Sequence, residues 1–150
     1  MFKDGGWGRD YRKFDDDEMK GIYFIYKASS DPSPAGYWMP GGGVFSGFTT
    51  TGEIATTESQ FNVSGSFING WNYLTGDGNK TIFFPASGYR NYTNGNLENI
   101  GNNGSCWSQY LIRYYSGHEE CRALYFDYQY VNPTGTYSPS YALPVRPVKE

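Results

Sequence analysis

Good helix formers are scarce in this chain of 150 residues: alanine, leucine and lysine are few, and only 18% of the residues are charged. No long amphipathic stripe occurs anywhere, which argues against helices as the main elements. The formal net charge is −3, with an isoelectric point near 5.1. A general nucleic-acid binder needs a basic stripe to neutralise phosphates, so nucleic acid is not an expected partner. No apolar run approaches the ~18 residues of a membrane span, and direct membrane insertion is not expected either. Met1-Phe2-Lys3-Asp4 leads into no apolar signal-peptide core. Either the protein is cytoplasmic or this is a domain of a longer protein; richness in tyrosine, asparagine, glycine and serine, common in exported adhesive domains, favours the second, and the expected location is extracellular, on a cell surface or on a phage virion. Two cysteines are too few to decide the redox compartment.

Glycine and aromatics are abundant: 20 glycines, 15 tyrosines, 10 phenylalanines and 4 tryptophans. Aromatic side chains suit pleated surfaces, and glycine costs a helix about 1 kcal/mol per position, so the mixture predicts many short strands and turns. At this length one domain buries roughly 68–70% of the surface its unfolded chain exposes. Residues 1–20 read as a polar lead-in, and 21–150 as the domain. The acidic run Asp15-Asp16-Asp17-Glu18 lacks the ordered spacing of a calcium loop and reads as wet surface. GIYFIY (21–26) has the length and type of a buried strand. Prolines and glycines in SSDPSPAGYWMPGGG forbid regular structure. GEIATTESQF has room for one or two helical turns. SFINGWNYLT and TIFF read as strands around a Gly76-Asp77-Gly78-Asn79 turn. NYTNGNLENIGNNG reads as a polar loop anchored by Leu97 and Ile100. PAGYW and PASGYR suggest two similar turns, each with a glycine at positive φ and Tyr37 or Tyr89 packed back onto the sheet. Asn62, Asn79, Asn91 and Asn103 each start an N-x-[ST] triplet, read here as turn chemistry.

The stretch GSCWSQYLIRYYSGHEECRALYF (104–126) gathers Cys106, Cys121 and the only histidine, His118. As nucleophile and base these residues would need a scaffold that a short glycine-containing loop does not supply. Zinc sites show paired spacings and a fourth ligand, neither of which is present; no metal or other cofactor is expected. A bridge between Cys106 and Cys121 is the preferred alternative, because closing a loop near 15 residues stabilises by about 3 kcal/mol in the chain-entropy model; two unpaired thiols remain the competing state. Between the cysteines, tyrosine, serine, glycine and arginine have the makeup of a recognition surface, and VNPTGTYSPSY shares it. In RALYFDYQYV, Leu124, Phe126, Tyr128 and Tyr130 alternate with Ala123, Tyr125, Asp127 and Gln129, with the latter two towards water. Trp107, Trp38 and Trp71 are expected in the core and Tyr125 partly buried; of Tyr114 and Tyr115, one should be in and one out. ALPVRPV reads as a short terminal strand at an edge.

Four stretches, DPSPAGYWMP, FFPASGYRNY, GSCWSQ and ALYFDYQYVNP followed by LPVRPVKE, together resemble the FISUMP-type surface domain of bacteria over about 120 residues in the right order. The resemblance implies a C-type-lectin-like fold: α+β, mostly β, with a twisted antiparallel sheet and long irregular loops. Similar domains form the variable tips of proteins diversified by retroelements. The calcium-ligand triplets of sugar-binding C-type lectins are absent, so calcium-dependent sugar binding is not implied. The expected function is adhesion or receptor binding, without enzymatic activity, to a protein or glycan on a cell surface. Tyr110, Arg113, Tyr114, Tyr115, His118, Tyr128, Tyr130 and Tyr137 are the candidate ligand-binding residues. The alternatives are a structural tip or spacer domain of a surface or fimbrial protein and, more remotely, a relative of formylglycine-generating oxidases. Oligomeric state has no signature in the sequence.

Overall fold

The computed structural model describes residues 11–12, 19–24 and 33–149. The acidic run at 15–18 and most of the lead-in lie outside the described residues, as do Ile25 and Tyr26 of the first apolar run. Among the described residues there are eleven strands: β1 (Tyr11–Arg12), β2 (Met19–Phe24), β3 (Tyr37–Trp38), β4 (Gly70–Leu74), β5 (Thr81–Pro85), β6 (Tyr89–Arg90), β7 (Leu97–Glu98), β8 (Gly104–Tyr114), β9 (Glu119–Phe126), β10 (Val131–Tyr137) and β11 (Val148–Lys149). Among the described residues the helical content is two 3-10 turns, Ser46–Phe48 and Glu58–Gln60. The protein is mostly β, and the α component of the expected class shrinks to those turns. Gly47 and Gly52 flank this region's β-branched threonines, a composition that favours no longer helix.

A five-stranded antiparallel sheet has the order β1-β2-β8-β9-β10, and three two-stranded ribbons pair β3 with β11, β4 with β5, and β6 with β7. β8 is the longest strand and the organiser. Its C-terminal half pairs with β2, from Phe24 opposite Tyr110 to Met19 opposite Tyr114. Its N-terminal half instead takes loop partners on that side: Trp107 N–H donates to Pro144 O and Gln109 N–H to Pro40 O.

Register assigns the two faces of the sheet. Cys106 lies opposite Leu124, and Val131 opposite Phe126; these four side chains join the buried core with Phe45, Ala55, Phe61, Trp71, Tyr73 and Phe84. The β4–β5 hairpin and the 45–63 segment therefore cover this face. Aromatic packing dominates there, with Phe48 stacked on Tyr73 at 3.9 Å and Phe61 edge-on to Trp71 at 5.8 Å. Trp71 Nε1 donates to Asp127 O at 2.8 Å, tying the hairpin to the end of β9. Arg146 closes the bottom of the core, its guanidinium 4.5 Å from the Phe84 ring centroid.

Several expectations change here. Trp71 is core as anticipated, but Trp107 is only half-buried and Trp38 stays 41% exposed on the β3–β11 ribbon. Gly36 and Gly88 do hold φ of 80° and 64°, and Tyr89 packs inward while Tyr37 does not. Leu97 and Ile100 are exposed and anchor nothing; the 91–98 loop is held by its own polar contacts, with Asn91 Nδ2 donating to Glu98 at 3.0 Å. The ALPVRPV segment is not a strand along its length: Ala142 makes a bridge to Arg90, and β11 begins only at its last residue, Val148.

Candidate functional site

The expected loop between the cysteines is a hairpin. β8 continues to Tyr114 and β9 starts at Glu119, leaving a four-residue turn, Tyr115 to His118, with Gly117 at φ 84°. Arg113 pairs with Glu119 across the neck at 2.6 Å. Glu120 gathers the tip: Tyr114 Oη donates to it at 3.1 Å, and His118 Nε2 lies 3.2 Å from its other oxygen. Burial alone would raise the Glu120 pKa, yet hydrogen bonds from His118, Thr136 and Tyr114 outweigh it and hold the carboxyl below its usual value.

The cysteine bridge does not form; both thiols are free and buried. Cys121 lies opposite Leu111, whereas Cys106 lies opposite Leu124. Positions 121 and 124 differ by an odd number along β9, so the two side chains leave opposite faces, roughly 10 Å apart along the strand. No rotamer can span that geometry. Burial pushes the Cys106 thiol up to about 11 and the Cys121 thiol up to about 12, which keeps both protonated and weakly nucleophilic near neutrality. His118 sits at the hairpin tip, roughly 20 Å along the β9 direction from the level of Cys106, which lies opposite Leu124.

The candidate binding residues do not share one surface. Tyr114, Tyr115, Arg113 and His118 occupy the hairpin tip, with Tyr115 61% exposed. Tyr128 and Tyr130 occupy the turn at the other end of β9, because the strand stops at Phe126 before the alternation reaches them. Tyr128 is exposed, its ring 6.5 Å from Phe67. Tyr110 packs over Gly42, where a Cβ would fall 1.9 Å from its ring. Only Tyr137, with Tyr130 behind Tyr125, belongs to the group described next.

The face of the sheet opposite the core carries Ser105, Trp107, Ala123, Tyr125 and Tyr137. Two connections supply Tyr89 and Tyr141 to this face, and a groove of about 380 Å³ opens between them and the sheet. The rings form a continuous edge-to-face chain: Tyr92 to Tyr141 at 5.0 Å, Tyr89 to Tyr141 at 5.4 Å, Tyr137 to Tyr141 at 5.8 Å and Trp107 to Tyr137 at 6.0 Å. Tyr125 extends it at 6.5 Å from Tyr137 and 5.8 Å from Tyr130. Their hydroxyls are oriented rather than free to rotate: Tyr137 shares a 3.0 Å hydrogen bond with Ser105, Tyr89 donates to Glu98 at 3.0 Å, and Tyr125 donates to Asp127 at 3.3 Å. Burial pushes the Tyr137 phenol up to about 12, and burial also raises that of Tyr125; the bond to Glu98 raises that of Tyr89.

Asn103 lies in the wall of this groove, only 6% exposed. Its backbone is fully engaged, N–H to Asn99 O and C=O from Gly88 N–H. Its amide nitrogen donates to Tyr125 Oη at 3.4 Å, but its amide oxygen has no partner. In the sequence Asn103 reads as turn chemistry and Tyr89 as packing. Tyr141 carried a signal, since VNPTGTYSPSY contains it, but nothing local says that residues 89, 103, 125 and 141 converge. Comparison of the chain with family models, curated proteins and solved structures found no match.

Proposed function

We propose that this protein is a ligand-recognition module whose binding site is the tyrosine-lined groove. The observation that carries the proposal is the chain of edge-to-face rings bordering an open cleft, with phenol hydroxyls held by Ser105, Glu98 and Asp127. Rigid aromatic rings give large contact area at little conformational cost, and oriented hydroxyls add directional bonds. The resemblance to FISUMP-type bacterial surface domains points the same way, to a C-type-lectin-like adhesion module exposed on a cell or phage surface within a longer protein. An oxidase-like role for the thiols draws no support from their burial on opposite faces. A spacer domain has no need of the groove.

The test is capture on mixed glycan and peptide arrays. Tyr141→Ala is expected to abolish capture, whereas Tyr115→Ala at the hairpin tip leaves it intact. The reverse pattern would move the site to the tip, and capture indifferent to both would end the groove proposal.

A further inference from the structure

We infer that Asn79, at the tip of the β4–β5 hairpin, is an acceptor site for N-linked glycosylation by an oligosaccharyltransferase that acts on folded chains and reads an acidic residue two positions before the asparagine.

Four asparagines, Asn62, Asn79, Asn91 and Asn103, begin an N-x-[ST] triplet, the minimum such an acceptor needs. The structure separates them by what the side-chain nitrogen is doing. Asn62 Nδ2 donates to Gly47 O at 2.8 Å, Asn91 Nδ2 to Glu98 at 3.0 Å and Asn103 Nδ2 to Tyr125 Oη at 3.4 Å. Asn103 is in addition only 6% exposed, too deep for a macromolecular enzyme to reach. Asn79 is exposed, and among the described residues its side chain makes no hydrogen bond; its backbone N–H donates to Asp77 Oδ1 at 3.1 Å. Turn chemistry here belongs to Asp77, which leaves the Asn79 amide free to react.

The flanking residues supply the rest. Thr81, whose hydroxyl completes the triplet, is exposed at the start of β5. Asp77 stands two residues before Asn79, whereas the same place before the other three asparagines holds Gln60, Tyr89 and Gly101. A carboxylate there gives a transferase an anion to pair with a basic side chain. The Asp77 carboxyl is exposed, and hydrogen bonds from the Thr75 hydroxyl, at 2.6 Å, and from Asn79 N–H hold it below its ordinary pKa, so it stays charged. The tip also stands clear of the body: a Cβ added at Gly76 or Gly78 would meet nothing within 4 Å. An enclosing catalytic cleft therefore reaches Asn79 without unfolding the hairpin. Because the hairpin covers the core side of the sheet, a glycan there leaves the tyrosine groove uncovered.

In the transfer step the Asn79 Nδ2 lone pair attacks the anomeric carbon of a sugar carried on a lipid diphosphate. The N–C bond forms as the C–O bond to the diphosphate breaks; the lipid diphosphate leaves with that electron pair, and one amide proton passes to solvent. No oxidant or reductant takes part.

The experiment incubates the purified, folded chain with a bacterial oligosaccharyltransferase of this type and its lipid-linked oligosaccharide, then reads the intact mass and maps the modified peptide. A single glycan on Asn79 is expected. Asp77→Asn, which keeps the Oδ1 acceptor of the turn, and Thr81→Val should each abolish transfer; Asp77→Glu and Thr81→Ser should retain it, which separates lost recognition from a lost turn. No transfer to the chain while an unrelated acceptor peptide in the same tube is modified overturns the inference, and so does a glycan mapped to Asn62, Asn91 or Asn103. Transfer to Asn79 that Asp77→Asn leaves undiminished overturns the role given to the carboxylate.

Discussion

Glycines divide sharply by what surrounds them. At Gly88, φ is +64° and an added Cβ would lie 2.0 Å from Glu98 O, a backbone atom that cannot step aside; at Gly43 nothing lies within 4 Å. Gly88→Ala is therefore expected to lose about 2–4 kcal/mol and Gly43→Ala to change stability by less than about 1 kcal/mol, as read by urea unfolding. The thiols give a second prediction. Without reductant, a disulfide-exchange reagent near neutral pH should find almost no reactive thiol in the folded chain and both after denaturation; none after denaturation would restore the bridge. Their pKa values, raised from 9.0 to about 11 and about 12, mean that the folded state holds these protons more tightly than the unfolded chain. The contribution is complete below about pH 9 and is lost as pH rises through the folded values, and Tyr137 at about 12 adds to the loss. Urea midpoints should hold steady to about pH 9 and fall above it; a flat profile to pH 11 would show that these groups are not buried. The glycine turns were legible because φ > 0 leaves a compositional mark. Burial of Cys106 was not, since a cysteine looks alike in sequence whether bridged or packed.

At the scale of elements, the β4 and β5 strands and the Gly76–Asn79 turn follow from alternation and turn chemistry, and the structure pairs Gly70–Leu74 with Thr81–Pro85 in that register. The segment between the cysteines misleads for a physical reason. LIRYY looks like loop because polar and aromatic residues interrupt its apolar pattern, yet β2 and β9 pair with it, and adjacent Leu111 and Ile112 are both buried, so both faces are covered there and strict alternation is lost. The hairpin neck should contribute little: Arg113 and Glu119 are 42% and 36% exposed, so Glu119→Gln is expected to cost less than about 1 kcal/mol by thermal or urea unfolding. Glu120 differs, because its lowered pKa means stability present above the ordinary carboxylate range and lost as pH falls through the folded value. Protection factors of the Tyr115–His118 amides, taken relative to the slower intrinsic exchange in acid, should fall at low pH in the native chain, and Glu120→Gln should remove that acid dependence. The β9 alternation was right through Leu124 and Phe126 and failed at Tyr128, because Asp127 turns the chain: its carboxylate accepts from Gln129 N–H at 2.7 Å.

For the whole molecule, the sheet has two working faces. One is sealed by aromatics around Trp71, so Trp71→Ala is expected to lose about 3–5 kcal/mol or fail to fold, measured by calorimetry. The other is left open and lined by tyrosines, so substitution there should spare the melting temperature more than it spares binding. Composition alone dictated a strand-and-turn protein without long helices, since glycine and aromatic residues disfavour helix wherever they fall. Local sequence also marked its turns and the two strands of the 70–85 hairpin. Only tertiary structure decided the site. Tyr89, Asn103, Tyr125 and Tyr141 meet because register sends odd positions of β9 to one face and because the 86–90 and 138–142 connections cross that face. Register and crossing are properties of paired strands, set by which side chains the core can bury, and no window of the sequence contains both partners.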